Sequence, residues 1–270
     1  MPDGERGAGM KVISILNLKG GVGKTFTAVN MAYELYRRGR SVLLLDNDKQ
    51  GNLSKAYRRY NAEEVTPITK LLSGSWGQAE ELIQETDYKG IDIITANMSL
   101  FGAVWNLTKE EDGGQFWRYG RLMKAKIAHD GCMVCEKYDY CIVDNPPDIG
   151  FNVINALAVT DEVVVPVKID EDALEGLDIV AGQIEEAQGF NKNLRLQGIL
   201  VTVFQNTDGE NAGLEWLRQR GGYRILGMIR YSKKAAENSF MRRPIYEYSP
   251  RCGAAQDYKR FVSSYTGKGR

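Results

Sequence analysis

The sequence predicts a doubly wound α/β fold, with a mostly parallel sheet and helices on both faces. Three observations carry that expectation. Short apolar runs recur without the alternation of a half-exposed sheet, which suits strands covered on both sides. Segments with helical spacing separate those runs. Two of the runs end in an aspartate, and a third runs straight into a glycine-rich loop.

The elements follow in order. Lys11 to Leu16 is a β-rich run, and the glycine loop comes directly after it. Thr25 to Arg38 has helical spacing, with Ala28, Ala32 and Leu35 along one side, and Gly39 stops it. Ser41 to Leu45 is a continuous apolar strand closed by Asp46, and Ile91 to Thr95 is another strand. Residues 97 to 119 carry no readable pattern, and Glu110 to Gly114 reads as a loop. Gly120 to Glu136 is expected to be helical. Tyr140 to Val143 is a strand ending at Asp144, and Glu162 to Val167 is the next. Asp172 to Gln188 reads as helix, Leu196 to Phe204 as strand, Leu214 to Gln219 as a short helix and Ile225 to Ile229 as a last strand. Strand and helix alternate as right-handed crossovers require.

The 270 residues suffice for one α/β domain, and no Pro/Gly/Ser-rich linker divides them. The expected division is a disordered leader over residues 1–9 and a single domain over 10–270, with Met10 a possible working start. Apolar content of 43% and charged content of 26% are ordinary for a globular protein. No run approaches the ~18 apolar residues of a membrane-spanning helix, and the first residues lack the apolar stretch of a secretory signal. Cys132, Cys135, Cys141 and Cys252 make no disulfide framework, so a reducing cytoplasm is expected. His129, Cys132 and Cys135 stand three apart, but no second ligand pair accompanies them. Small thiols at a helix end are the simpler reading.

Formal charge is zero overall but unevenly placed. From Arg218 onward, 13 Lys and Arg face Glu237, Glu247 and Asp257, a net +10 that leaves −10 for the rest. A basic end on a neutral chain fits either a polyanion partner or a solvated surface balancing an acidic body.

The strict pattern Gly-x-x-x-x-Gly-Lys-Thr would put its first glycine at Leu18, so this loop departs from it by one residue. It reads Lys19-Gly20-Gly21-Val22-Gly23-Lys24-Thr25, with an extra lysine and a glycine pair inside. Glycines let successive backbone N–H groups turn inward around a phosphate, and the following helix offers its positive end to the same anion. Lys24 is placed to reach the β and γ phosphates of a nucleotide, and the Thr25 hydroxyl to ligate Mg²⁺. Asp144, at a strand end, stands where a carboxylate holds that Mg²⁺. The strand end at Asp46 and Asp48 is placed to orient an attacking water.

These residues resemble the deviant Walker A ATPases of the ParA/MinD group, most closely the ParA/Soj-type partition proteins. The matching pieces are the loop from Lys19 to Thr25, Asp46-Asn47-Asp48-Lys49-Gln50-Gly51-Asn52, Tyr138-Asp139-Tyr140-Cys141-Ile142-Val143-Asp144-Asn145-Pro146-Pro147, Val164-Val165-Pro166, Ala236-Glu237, Arg243-Pro244-Ile245 and Gly253-Ala254-Ala255-Gln256-Asp257-Tyr258. The likeness runs from Met10 to about Val262. It implies a SIMIBI-like P-loop NTPase fold that hydrolyses ATP with Mg²⁺. Nucleotide contacts fall on Lys19, Gly20, Gly21, Val22, Gly23, Lys24, Thr25 and Phe26. Lys19 matches the signature lysine that crosses a homodimer interface to the other subunit's phosphates. Asp48 matches the switch I aspartate needed for hydrolysis, and Asp46 supports the Mg²⁺ shell beside Thr25 and Asp144.

In such partition ATPases the ATP-bound dimer coats DNA without sequence preference, and a ParB-like centromere-binding adaptor triggers hydrolysis and release. The resemblance therefore implies a cytoplasmic, nucleoid-associated protein. Lys234 is similar to a basic DNA-contact position, with Arg230, Lys233, Arg242 and Arg243 nearby. Some positions depart from the pattern. Phe26 replaces the usual second threonine, Lys49 a proline, and Asn145 a common threonine; Thr207 stands where Soj-like members carry a DNA-binding arginine.

Three rival readings remain open at this point. A MinD-like membrane-surface ATPase needs a C-terminal amphipathic helix, and Tyr258, Phe261, Val262 and Tyr265 fall at helical spacing. An iron–sulfur reductase component needs a cysteine shortly after Asp144, and residues 145 to 160 contain none. A ligase-like enzyme acting on a small carboxylate needs a further substrate constellation that the sequence does not display.

Overall fold

The computed structural model describes residues 9–111, 113–219 and 222–267, so the expected leader lies outside it apart from Gly9. The described strands are β1 (Lys11–Ile15), β2 (Val42–Asp46), β3 (Gln84–Glu85), β4 (Ile91–Ile94), β5 (Tyr140–Asp144), β6 (Glu162–Lys168), β7 (Arg195–Phe204) and β8 (Ile225–Arg230). They form one sheet in the order β3-β4-β2-β5-β1-β6-β7-β8. Every pair is parallel except β3 with β4.

The helices are α1 (Lys24–Arg37), α2 (Asn52–Ala56), α3 (Pro67–Ser73), α4 (Ser99–Leu107), α5 (Arg118–Met123), α6 (Val134–Lys137), α7 (Phe151–Val159), α8 (Glu171–Ala187), α9 (Asp208–Gln219), α10 (Lys233–Met241), α11 (Ile245–Tyr248) and α12 (Gly253–Tyr265). The strand side chains divide between two faces. Ile13, Ile15, Val42, Leu44, Ile142, Val164 and Leu200 pack with α1, α11 and α12. On the opposite face, Val12, Leu43, Leu45 and Val143 pack with α3, α4, α5 and α7, and Val163, Val165, Ile199 and Val201 pack with α8 and α9. Both alternating sets are buried, which is why the strands read as unbroken apolar runs. Each buried Val, Leu or Ile contributes roughly 1.5–3 kcal/mol.

One expected helix is broken. From Gly120 to Glu136 the chain leaves α5 at Met123, turns, and forms an antiparallel bridge between Lys126 and Met133 before α6. The Ile127 N–H donates to the Cys132 carbonyl and the Val134 N–H to the Ala125 carbonyl, replacing the helical ladder with hairpin-like bonds. Residues 97 to 119 contain α4, started by Asn97, whose Oδ1 accepts from the Ser99 N–H at 2.8 Å. Phe101 and Trp105 on the outer face of α4, and Met98 just before it, are all more than half exposed, so no polar stripe marked the helix in the sequence. The helix expected from Leu214 begins six residues earlier. Thr207 and Glu210 cap it reciprocally: the Glu210 N–H donates to Thr207 Oγ1 and the Thr207 N–H to Glu210 Oε2.

Candidate functional site

The phosphate loop joins the end of β1 to the start of α1, in the middle of the sheet. Gly21 and Gly23 take left-handed φ of 72° and 84°, a conformation in which a side chain is strained. A Cβ at Gly20 or Gly21 would meet nothing within 4 Å, so the space beside these amides is open. Neighbours that the sequence did not single out fix the loop. Asn17 Oδ1 accepts from the Lys19 N–H at 2.9 Å, while Asn17 Nδ2 donates to the Pro166 carbonyl at 2.7 Å. Thr202 Oγ1 donates to the Val22 carbonyl at 2.8 Å. The loop is thereby tied to β6 and β7 on one side of β1.

Lys24 is nearly buried, and its Nζ donates to the Lys19 carbonyl at 2.9 Å. Burial lowers its pKa, opposed by Asp144, Asp48 and Asp148. Lys19 reaches the other way, and its Nζ meets Asp170 Oδ1 at 2.6 Å. Phe26 packs edge-on against Tyr258 of α12.

Asp46 and Asp144 are side by side, as paired residues at the ends of adjacent parallel strands. Both are buried. Asp46 Oδ2 accepts from the Ser54 N–H at 2.8 Å and from Ser54 Oγ at 2.6 Å. Burial nevertheless pushes Asp46 up to about 6. Neither Asp144 oxygen has a hydrogen-bond partner. Burial, then the charge of Asp46, raises the Asp144 carboxyl well above the usual range, although the nearby Thr25 hydroxyl opposes part of the rise. A buried carboxylate without a partner is costly. A divalent cation beside Thr25 and Asp144 would remove that cost, so this donor set fits one. Among the described residues, no group of three His, Cys, Asp or Glu side chains is arranged to hold a metal on its own.

The residues that follow the two carboxylates, Asn47 and Asn145, are tied together by an amide network that the sequence did not reveal. Asn47 Nδ2 donates to Asn145 Oδ1 at 2.8 Å, Asn152 Nδ2 to the Asn47 carbonyl at 2.9 Å, and the Tyr119 hydroxyl to Asn47 Oδ1 at 2.7 Å. Asp48 sits just above, where its Oδ1 accepts from the Gln50 N–H at 2.9 Å. The turn ends at Gly51, with φ of 63°, where a Cβ would lie 2.6 Å from the Ala96 carbonyl oxygen. The loop, Lys24, Thr25, Asp46, Asp48 and Asp144 thus share one end of the sheet, beside β1, β2 and β5.

Of the basic candidates, Arg242 and Arg243 line a cavity that reaches Thr25, while Arg230 and Lys234 are neutralised. Arg230 pairs with Asp257 at 2.9 Å, and Arg260 shares that carboxylate. Lys234 pairs with Glu237 at 2.8 Å. Lys233 is exposed at the start of α10, while Arg242 and Arg243 follow its end. Thr207 serves as the α9 cap described above. At the C-terminus Tyr258, Phe261 and Val262 are buried against the sheet and α1, so the apolar face of α12 belongs to the core. Among the described residues no helix is long and apolar enough to cross a membrane.

Comparison with known proteins agrees with this arrangement. A family model described as an AAA domain matches residues 10–196. The chain is 32% identical over 253 residues to the sporulation initiation inhibitor protein Soj of Bacillus subtilis, covering 92% of this chain and 95% of that protein. It is 28% identical over 264 residues to the chromosome partitioning protein ParA of Caulobacter vibrioides, covering 97% and 96%. A crystal structure of cobyrinic acid a,c-diamide synthase from Mycobacterium smegmatis, with bound ATP analogue and magnesium, superposes with a TM-score of 0.78 at 25% identity, covering 97% of both chains.

Proposed function

The chain belongs to the ParA/Soj family of P-loop ATPases, and from that premise we propose that it is an ATP-dependent DNA partition ATPase. One observation supports the reading most: a partnerless buried carboxylate, Asp144, lies beside Lys24 and Thr25 at the start of α1. That combination suits a nucleotide carried with its metal. The substrate is ATP, hydrolysed with water to ADP and phosphate, and Mg²⁺ when bound supplies the positive charge that offsets the phosphates.

In this reading the amides from Lys19 to Phe26 bind the phosphate chain, and Lys24 reaches the β and γ phosphates. Thr25 and Asp144 hold the metal, with Asp46 behind them. Asp48 orients the attacking water. Lys19 leaves Asp170 and crosses to the nucleotide of a second copy, so that ATP joins two subunits face to face. The dimer holds DNA through cations of the C-terminal third, and a ParB-like adaptor speeds hydrolysis and release. One ATPase domain from residue 10 onward, in a cytoplasmic, nucleoid-associated protein, completes the proposal. A membrane-anchored alternative needs the α12 face, which the core already occupies.

The test is retention of random-sequence duplex DNA against salt, with ATP and with ADP. Steep salt dependence seen only with ATP supports the reading. Equal retention with ADP, or none with either, overturns it.

A further inference from the structure

Two helices, α2 and α10, are followed by a left-handed residue, the position where glycine is the default. Both carry arginine there: Arg58 with φ of 58° and Arg242 with φ of 48°. They come from opposite ends of the chain yet line one groove. A cavity of about 360 Å³ is walled by Tyr57, Arg58, Tyr88, Arg242, Arg243 and Glu247, among others. A second, of about 480 Å³, adjoins it, shares Ala56, Arg242 and Arg243, and extends to Thr25 and Asn52.

The cations of this groove are less neutralised than Arg230, Lys234 and Arg260, and unlike the other unpaired cations of the basic third they converge on one cavity. Arg58, Arg242 and Arg243 form no ion pair among the described residues, and the buried Nε of Arg243 has no hydrogen-bond acceptor. Of the two acids on the wall one is charge-paired, which leaves three arginines against the single carboxylate of Glu247. Asp87 is held by Arg59 at 2.8 Å, and Glu247 accepts from the Tyr88 hydroxyl at 2.8 Å. By contrast, Arg230 and Lys234 already spend their charge on Asp257 and Glu237. Phe240, 87% exposed, stands on the lining of the second cavity.

We propose that this groove between α2 and the α10–α11 connection seats the phosphate backbone of duplex DNA, with Arg58, Arg242 and Arg243 as its contacts. The inference rests on the DNA-binding reading and assigns that contact to a surface including α2, which lies outside the basic C-terminal third. Left-handed backbone at a residue other than glycine is an outlier of the kind that gathers at ligand contacts. One end of the groove reaches Thr25 and Asn52, the residues next to the phosphate loop and the Asp48 turn. A change of nucleotide therefore bears directly on the DNA contact.

The experiment compares wild type with Arg58→Gly and Arg242→Gly, singly and together. The readouts are binding of a fluorescein-labelled duplex across a salt series with ATP, and thermal melting. Glycine accepts the left-handed turn without strain, so the variants melt within about a few degrees of wild type. The slope of log affinity against log salt falls by about one for each arginine removed. Arg58→Lys and Arg242→Lys keep the slope, because a lysine gives a phosphate the same charge. Lys234→Ala changes it less than either glycine variant.

Glycine variants with the wild-type slope overturn the inference and leave the DNA reading standing. Loss of DNA binding together with a collapsed melt also overturns it, because the arginines then serve the fold. Unchanged DNA binding with lost affinity for a polyglutamate probe would assign the groove to an acidic polypeptide instead. A wild-type protein that holds no DNA with ATP removes the DNA reading and the inference with it.

Discussion

Lys19 and Asp170 are joined by a 2.6 Å ion pair that ties the phosphate loop to the residue just beyond the end of β6. Both side chains are about one-third exposed, so the pair is worth no more than about 1 kcal/mol. If Lys19 serves a second subunit, it must first leave this partner. Each dimer breaks two such pairs, so Asp170→Asn is expected to favour the ATP-dependent dimer by up to about thirtyfold. Sedimentation over a protein dilution series with a slowly hydrolysed ATP analogue measures this. A weaker dimer in the variant would mean that Asp170 supports the interface.

Asp48 lies near Lys24 on the turn after β2, with one oxygen turned to the Gln50 N–H. As the group that orients water, it should be dispensable for binding and required for turnover. Asp48→Ala is expected to lower kcat by about 10²-fold or more while ATP still binds. Phosphate release and fluorescent-nucleotide titration report the two separately, and brisk turnover in the variant would remove Asp48 from the role.

Asp144 ties stability to pH and to magnesium. Its carboxyl is raised by burial, so the folded protein favours the protonated form. The corresponding stability is fully present below the ordinary carboxylate range and is lost as pH rises through the raised value. Asp46, raised to about 6, has the same sign. Asp144→Asn should make the metal-free protein more stable than wild type by about 1–3 kcal/mol near neutral pH, and by less near pH 5. With nucleotide present, Mg²⁺ should stabilise wild type more than the variant. Urea unfolding at two pH values, with Mg²⁺ and with chelator, checks both halves; a variant less stable in chelator at neutral pH contradicts the account.

Gly51 carries a purely steric constraint. A methyl group there would meet the Tyr60 ring at 2.5 Å and the Ala96 carbonyl oxygen at 2.6 Å, on a backbone with φ of 63°. Gly51→Ala is expected to cost about 2–4 kcal/mol. It should also slow hydrolysis, since Gly51 closes the turn that holds Asp48. A denaturant midpoint equal to wild type would refute the crowding.

The sheet and the phosphate loop were legible in the sequence because local signals specify them. Two-faced burial produces unbroken apolar runs, and strand ends expose Asp46 and Asp144 directly. What escaped depends on distance along the chain. Asp170 meets Lys19 across 151 residues, and Thr202 meets Val22 across 180. No local pattern encodes either contact. The Thr207–Glu210 cap was local and readable, but the spacing of Leu214 drew the helix start too late. The supposed helix from Gly120 failed because turn bonds around Ile127 and Gly131 outcompete its ladder. Arg58 and Arg242 could not be paired from sequence, because their shared groove exists only once α2 and α10 are brought together.

The last helix is bound to the first. Tyr258 is buried, and its hydroxyl lies 2.9 Å from that of Thr27, two residues beyond Thr25. A premature stop codon that deletes α12 would therefore uncover the flank of α1 and loosen the phosphate grip itself. Frameshifts just upstream of α12 should abolish nucleotide affinity as surely as damage to the phosphate loop itself.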